Sequence, residues 1–152
     1  MKVSEALDNM ENLPYLAVSG ESCVEEIAEE ISRMRHIRGI YVVDDRGRLQ
    51  GYVSLGVLIR NVMEAQYKPH FHARSLLDRI TCEKVADIME RHLIYARQDD
   101  DLEKVLDGMV HRNIKQIPVV DEEHRIIINV GILDLWKLVK ESGLTGGGSD
   151  DS

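Results

Sequence analysis

The sequence predicts an α/β (α+β) fold in which two βαββα repeats pack as a pseudo-twofold pair. Three observations predict it. The chain writes nearly the same phrase twice, IYVVDDRGRLQG at 40–51 and IPVVDEEHRIII at 117–128. Each phrase lies between two segments of helical periodicity. Each repeat is also near the lower size limit for burying a core alone, so two of them are expected to share one.

The repeat is ungapped over its centre. Ile40 falls on Ile117, an offset of 77 (117 − 40), and the same offset carries Asp44 to Asp121, Arg48 to Arg125, Val53 to Val130 and Leu58 to Leu135. Each phrase reads as a β-hairpin, with turns DDRGR and DEEHR. Gly47 supplies a positive φ in the first turn, and the second has no glycine.

Upstream, Val24, Ile27, Ala28, Ile31 and Met34 form the stripe of an amphipathic helix. Leu102, Val105, Leu106, Met109 and Val110 form its counterpart. Short β-like stretches precede these helices, LPYLAV at 13–18 and LIYAR at 93–97. Each copy opens with a brief helical segment, KVSEAL or KVADIM. Each closes with a longer helix, SLGVLIRNVMEAQ in the first and LDLWKLVKES, ended by Gly143, in the second. The expected organisation is repeat 1 over 1–66, a linker over 67–83, repeat 2 over 84–142 and a flexible tail over 143–152. In the linker Pro69 breaks the preceding helix, and Leu76, Leu77 and Ile80 suggest a short helix.

Composition narrows the function. Of the 152 residues 43% are apolar and 30% charged, as in a soluble globular protein. The net charge of −8 argues against a nucleic-acid partner bound by phosphate neutralisation. The N-terminal stretch MKVSEALDNMENLP has no apolar h-region, and no run approaches the ~20 residues of a membrane helix. A cytoplasmic location without direct membrane insertion is expected. Cys23 and Cys82 belong to no CxxC pair and are expected as plain thiols in a reducing compartment. The chain has no G-x-S-x-G, P-loop, HExxH or G-x-G-x-x-G, so it is not expected to be an enzyme.

The unit order, the phrases IYVVDDRGRLQGYVSL and IPVVDEEHRIIINVGILDL, and the KVADIM opening resemble the cystathionine-β-synthase (CBS) domain, here as a tandem pair or Bateman module. The resemblance covers residues 2–141. The first copy, through GRLQGYVSLGVLI, looks most like the cytosolic CBS domains of MgtE-type magnesium transporters. The family resemblance implies a regulatory module that takes an adenine nucleotide (AMP, ADP, ATP or S-adenosylmethionine) between the repeats. It also implies a homodimer that relays occupancy to a regulated enzyme or transporter.

The family motif G-h-h-[ST]-x-x-[DN] places a hydroxyl near phosphate and an acid on the ribose hydroxyls. A carboxylate suits a cis-diol, and a helix N-terminus suits an anion. Here the motif is split. GYVSLGV keeps Gly51 and Ser54 but has Val57 for the acid, whereas INVGILD keeps Asp134 but has Ile128 and Gly131 for the glycine and hydroxyl. The second half-site is therefore favoured. Candidate ligand-binding residues are Asp134, Gly131, Lys115, Ile117, Pro118, Ser54, Arg38 and Tyr41. Lys115 and Arg38 would face phosphate, and Ile117 and Pro118 would line the base.

Each has a plainer role: Asp134 as a helix N-terminal acid, Lys115 and Arg38 as surface charges. Trp136 is expected in a core or dimer interface. Asp99, Asp100 and Asp101 read as turn and helix cap. His70 and His72 lack further ligands nearby, so no metal is assigned. Two alternatives stand beside nucleotide sensing. One is a Mg²⁺-sensing module of a transporter. The other is a structural dimerisation module with a degenerate cleft.

Overall fold

The computed structural model describes residues 1–34, 36, 37, 39–67 and 82–147. Arg38, the linker residues Pro69, His70 and His72, and the helix expected around Leu76, Leu77 and Ile80 lie outside the described residues.

The elements are α1 (Val3–Ala6), a 3-10 turn (Leu7–Asn9), β1 (Leu16–Ser19), α2 (Val24–Ser32), β2 (Gly39–Val43), β3 (Leu49–Ser54) and α3 (Leu55–Tyr67). There follow a 3-10 turn (Val85–Asp87), β4 (Ala96–Arg97), α4 (Leu102–His111), β5 (Gln116–Val120), β6 (Ile126–Gly131) and α5 (Ile132–Gly147). The final helix runs through Gly143 instead of ending there. A Cβ at that position would meet nothing within 4 Å, and an isolated glycine costs a helix only about 1 kcal/mol.

Two three-stranded sheets result, ordered β1-β2-β3 and β4-β5-β6. In each the first pair is parallel and the second antiparallel. Both hairpins carry a bulge at the same place, after Val42 and after Val119, which puts Gln50 and Ile127 at equivalent irregular positions. The acidic pairs that close the two phrases cap these hairpins. Asp44 Oδ1 accepts from the backbone N–H of Arg46 and Arg48, and Asp121 Oδ1 from Glu123 and Arg125. The backbone N–H of Arg48, then its side chain and the backbone N–H of Arg46, hold the Asp44 carboxyl below its usual range. Where Gly47 takes φ 81°, His124 takes φ 68°, a left-handed conformation that few side chains adopt. Its ring packs edge-on against Tyr95 with centroids 4.6 Å apart.

The compact units are not the two halves of the sequence. One comprises Met1–Leu13 with the chain from Ile94 onward, and the other is Pro14–Leu93. Each opening segment is built onto the other copy's sheet. Val3 N donates to Asp100 O (2.9 Å) and Ser4 N to Gln98 O (2.8 Å). In mirror fashion Val85 N donates to Ser22 O (2.9 Å) and Ala86 N to Gly20 O (3.0 Å). Farther along, Leu13 N donates to Asn129 O, and Glu90 exchanges two backbone bonds with Tyr52. The pairs 13/129 and 90/52 are related by the same offset of 77.

Each unit has its own core. Val3, Ala6 and Met10 pack with Leu102, Met109, Ile117, Val119, Val130 and Leu135. Val85 packs with Val24, Ile27, Ile40, Val42, Val53 and Leu58. The opening residues enter these cores because their hydrogen-bonded path carries them under the helices. That is how helical pieces of four residues (Val3–Ala6) and three (Val85–Asp87), far too short to persist alone, are held.

The cysteines are not plain thiols. Cys23 and Cys82 are joined as a disulfide, with Cα atoms 5.6 Å apart. Their sequence spacing hides this proximity. The returning chain runs antiparallel to residues 20–24, pairing Cys23 with Lys84 and Val24 N with Glu83 O (2.8 Å).

Candidate functional site

The second half-site lies within one unit and is built where β6 passes into α5. Ile132 N donates to Lys115 O (2.9 Å), so the start of β5 and the start of α5 are tied together. That contact brings the Lys115 backbone, Gly131 and the first turn of α5 to one place. The Lys115 side chain is exposed. Asp134, in that first turn, accepts a hydrogen bond at Oδ2 from Glu11 N (3.0 Å). A carboxylate has four lone-pair positions, so this bond leaves acceptor capacity for a diol.

Gly131 has a structural reason to lack a side chain. A Cβ there would sit 2.9 Å from Leu13 Cδ1. Leu13 itself is positioned by Asn129, a fully buried polar residue on β6. Asn129 N donates to Asn12 Oδ1 (2.9 Å), and its side-chain amide donates to Leu13 O (3.4 Å) and Gln116 Oε1 (3.2 Å). Glu11, Asn12, Leu13 and Asn129 thus belong to the surroundings of Asp134, and sequence reasoning did not select them. The available signal was Asn129, a lone amide inside the apolar run IIINVGIL, because a buried polar side chain requires partners.

Ile117 and Pro118 occupy opposite faces of β5, as alternation requires. Ile117 is opposite Val130 and belongs to the core, so its side chain is committed to packing against the helices. Pro118 is buried opposite Asn129, on the other face.

In the other unit Ser54 sits immediately before α3, and its Oγ accepts from Val57 N (3.2 Å). This is an N-cap, and the hydroxyl proton is still able to donate. Tyr41 lies in a ladder of three tyrosines, with ring centroids 5.4 Å from Tyr15 and 5.5 Å from Tyr52. Burial, reinforced by Tyr52 and Tyr15, raises its pKa well above the usual phenol range, so the hydroxyl stays protonated. Burial raises Tyr52 as well.

The acidic stretch is used for local structure. Asp100 Oδ2 accepts from Arg97 N (2.8 Å), and Asp101 caps α4 by accepting from Lys104 N (3.2 Å). Among the described residues no group of three or more His, Cys, Asp or Glu converges as a metal site. No helix among them is long and apolar enough to cross a membrane.

A β-α-β-β-α order occurs twice, with a small hydroxyl or glycine before each closing helix, which is the architecture of a tandem domain pair. The CBS domain model matches residues 12–64 and 85–143, and the chain belongs to that family. Among curated relatives, the magnesium transporter MgtE of Thermus thermophilus is 33% identical over 130 residues, covering 83% of this chain and 25% of that protein. Inosine-5'-monophosphate dehydrogenase of Methanocaldococcus jannaschii is 26% identical over 125 residues, covering 82% of this chain and 21% of that protein. The chain thus spans about a quarter of the length of these relatives.

Among solved structures, the cytosolic domain of the Mg²⁺ channel MgtE in complex with ATP is 32% identical at TM-score 0.63, covering 88% of this chain and 52% of that one. The CBS domain pair of MJ0100, in complex with 5'-methylthioadenosine and S-adenosyl-L-methionine, is 20% identical at TM-score 0.63. It covers 93% of this chain and 98% of that one, and at this identity it speaks for the fold alone.

Proposed function

We propose that this chain is a cytoplasmic regulatory module that binds an adenine nucleotide at its second half-site and relays occupancy to a partner enzyme or transporter. The observation that carries this reading is the placement of Asp134 in the first turn of α5, beside Gly131 and the Lys115 backbone. A relative solved with ATP, 32% identical over most of this chain, supports it. Asp134 accepts from the ribose hydroxyls, Lys115 and the helix N-terminus meet the phosphates, and Pro118 contributes to the wall around the base. Ser54, Tyr41 and Arg38 belong to a weaker first half-site, because Val57 cannot hydrogen-bond a diol. Binding shifts the population between two packings of a dimer by the difference in nucleotide affinity between them.

Isothermal titration with ATP, ADP, AMP and S-adenosylmethionine tests the proposal. At least one is expected to bind below millimolar, and Asp134→Ala to weaken it about tenfold or more, as loss of a charge-assisted contact does. Absence of binding, or equal binding by the variant, refutes the assignment. The 33% identity to MgtE favours a second reading, a Mg²⁺-sensing cytosolic module. A rise in melting temperature with Mg²⁺ alone, in the same experiment without nucleotide, is its signature.

The homodimer is proposed to form through the closing helices. Trp136 is 49% and Leu133 70% exposed on α5, and Ile59, at the position equivalent to Trp136, is 44% exposed on α3. Large apolar side chains left in solvent on equivalent faces fit a second copy of the same chain. Trp136→Glu is expected to yield monomers in sedimentation velocity without changing the far-UV circular dichroism. An unchanged sedimentation coefficient would place the interface elsewhere.

A further inference from the structure

We propose that Cys23 and Cys82 form a reversible thiol–disulfide switch that fastens the returning segment, residues 82–90, onto the first sheet unit. Their Cα separation of 5.6 Å lies at the centre of the range a disulfide spans. The backbone around them is held independently of the bond. Val24 N meets Glu83 O (2.8 Å), Val85 N meets Ser22 O (2.9 Å), and Lys84 Nζ pairs with Glu21 Oε1 (2.7 Å). The two sulfurs are therefore presented to each other by the fold and stay neighbours after reduction.

Comparison of the copies singles out Cys23. At the equivalent position the other unit has Asp101, whose side chain caps α4. Cys23 stands at the same point before α2 and makes no side-chain cap bond. The first unit gives up a cap at the position where a thiol meets a second thiol. Cys23 is 8% exposed, whereas Cys82 is partly exposed, so an outside reagent reaches Cys82 first.

The oxidant is a small-molecule disulfide of the glutathione class. The Cys82 thiolate attacks one of its sulfurs, forming a mixed disulfide and releasing the first thiolate. The Cys23 thiolate then attacks the Cys82 sulfur, closing the intramolecular bond and releasing the second. The two protein thiols lose two electrons and two protons, and the reagent takes up both electrons as two thiols. Excess reduced thiol reverses both steps.

The consequence falls on the segment whose far end lies against β3, where Glu90 pairs with Tyr52. With the bond closed, the segment is tethered at Cys82 as well as by its backbone bonds. With it open, the segment opens locally at lower cost.

The test equilibrates the full chain in buffers of varied reduced-to-oxidised glutathione ratio, followed by acid trapping, alkylation and peptide mass spectrometry. The expected result is an intramolecular peptide pair linking Cys23 to Cys82 that disappears as the buffer becomes reducing. Amide exchange at Val24, Val85 and Ala86 is expected to be slower in the oxidised form by on the order of tenfold or more. Cys82→Ser, at a partly exposed position, is expected to keep the reduced protein's melting temperature and lose all redox dependence. Mixed or intermolecular disulfides alone, a bond that does not respond to the glutathione ratio, or identical exchange in both states would overturn the switch.

Discussion

Val85→Asp is expected to open the first sheet, β1–β3, while β4–β6 keep their amide protection. Val85 lies in the second copy of the sequence, yet its side chain is fully buried among Val24, Ile40, Val42, Val53 and Leu58. A carboxylate there finds neither water nor a basic partner in that core. The loss combines the burial energy of the valine with the desolvation of an acid, about 3–5 kcal/mol together. Val3→Asp is the mirror experiment. It sits in the first copy but packs with Leu102, Met109 and Leu135, so it should expose β4–β6. Hydrogen exchange resolved by residue separates the outcomes. If Val85→Asp exposed β4–β6 preferentially, the exchange of opening segments would be wrong.

That exchange marks the limit of what the repeat revealed. The offset of 77 located both hairpins and the closing helices, because β-alternation and helical periodicity are local patterns. It predicted equivalent positions, and each opening segment was read as part of its own copy, whereas Met1–Leu13 belongs with the chain from Ile94 onward. KVSEAL and KVADIM have the same apolar spacing and fit either sheet. Only the path of the chain, seen in Val3 with Asp100 and Val85 with Ser22, distinguishes the two arrangements.

The candidate site was legible to the same degree. The Lys115 backbone, Gly131 and the first turn of α5 come together because a strand start and a helix start are adjacent in a hairpin. The contact of Asp134 with Glu11 spans 123 residues and no pattern announces it. The cysteine pair was missed for the same reason, since residues 23 and 82 are brought together by the returning segment. Ile117 was assigned to a ligand wall from its position in the phrase, but strand alternation turns its side chain to the core.

Gly51→Val is expected to destabilise the first unit by about 1–3 kcal/mol, the usual cost of forcing extra volume into a packed site. The family motif makes this glycine look like a ligand-approach position, and the structure supplies a packing reason. A Cβ at Gly51 would lie 2.6 Å from Met89 Sδ, 2.9 Å from Met89 Cγ and 3.0 Å from Glu90 O. Gly51 pairs with Val42 and Ile128 pairs with Val119, so the two residues face equivalent cores. Ile128 fills its space with its own side chain, whereas beside Gly51 Met89 packs against the core. The same volume is thus supplied from β6 in one unit and from the returning segment in the other. Shortening the methionine should therefore relieve the valine. Met89→Ala alone is expected to cost about 2 kcal/mol or more through the cavity it leaves. Gly51→Val with Met89→Ala should cost less than the sum of the two, with a coupling of about 1 kcal/mol or more measured by urea denaturation. Strict additivity would mean that the Glu90 backbone, and not the methionine, excludes a side chain at position 51.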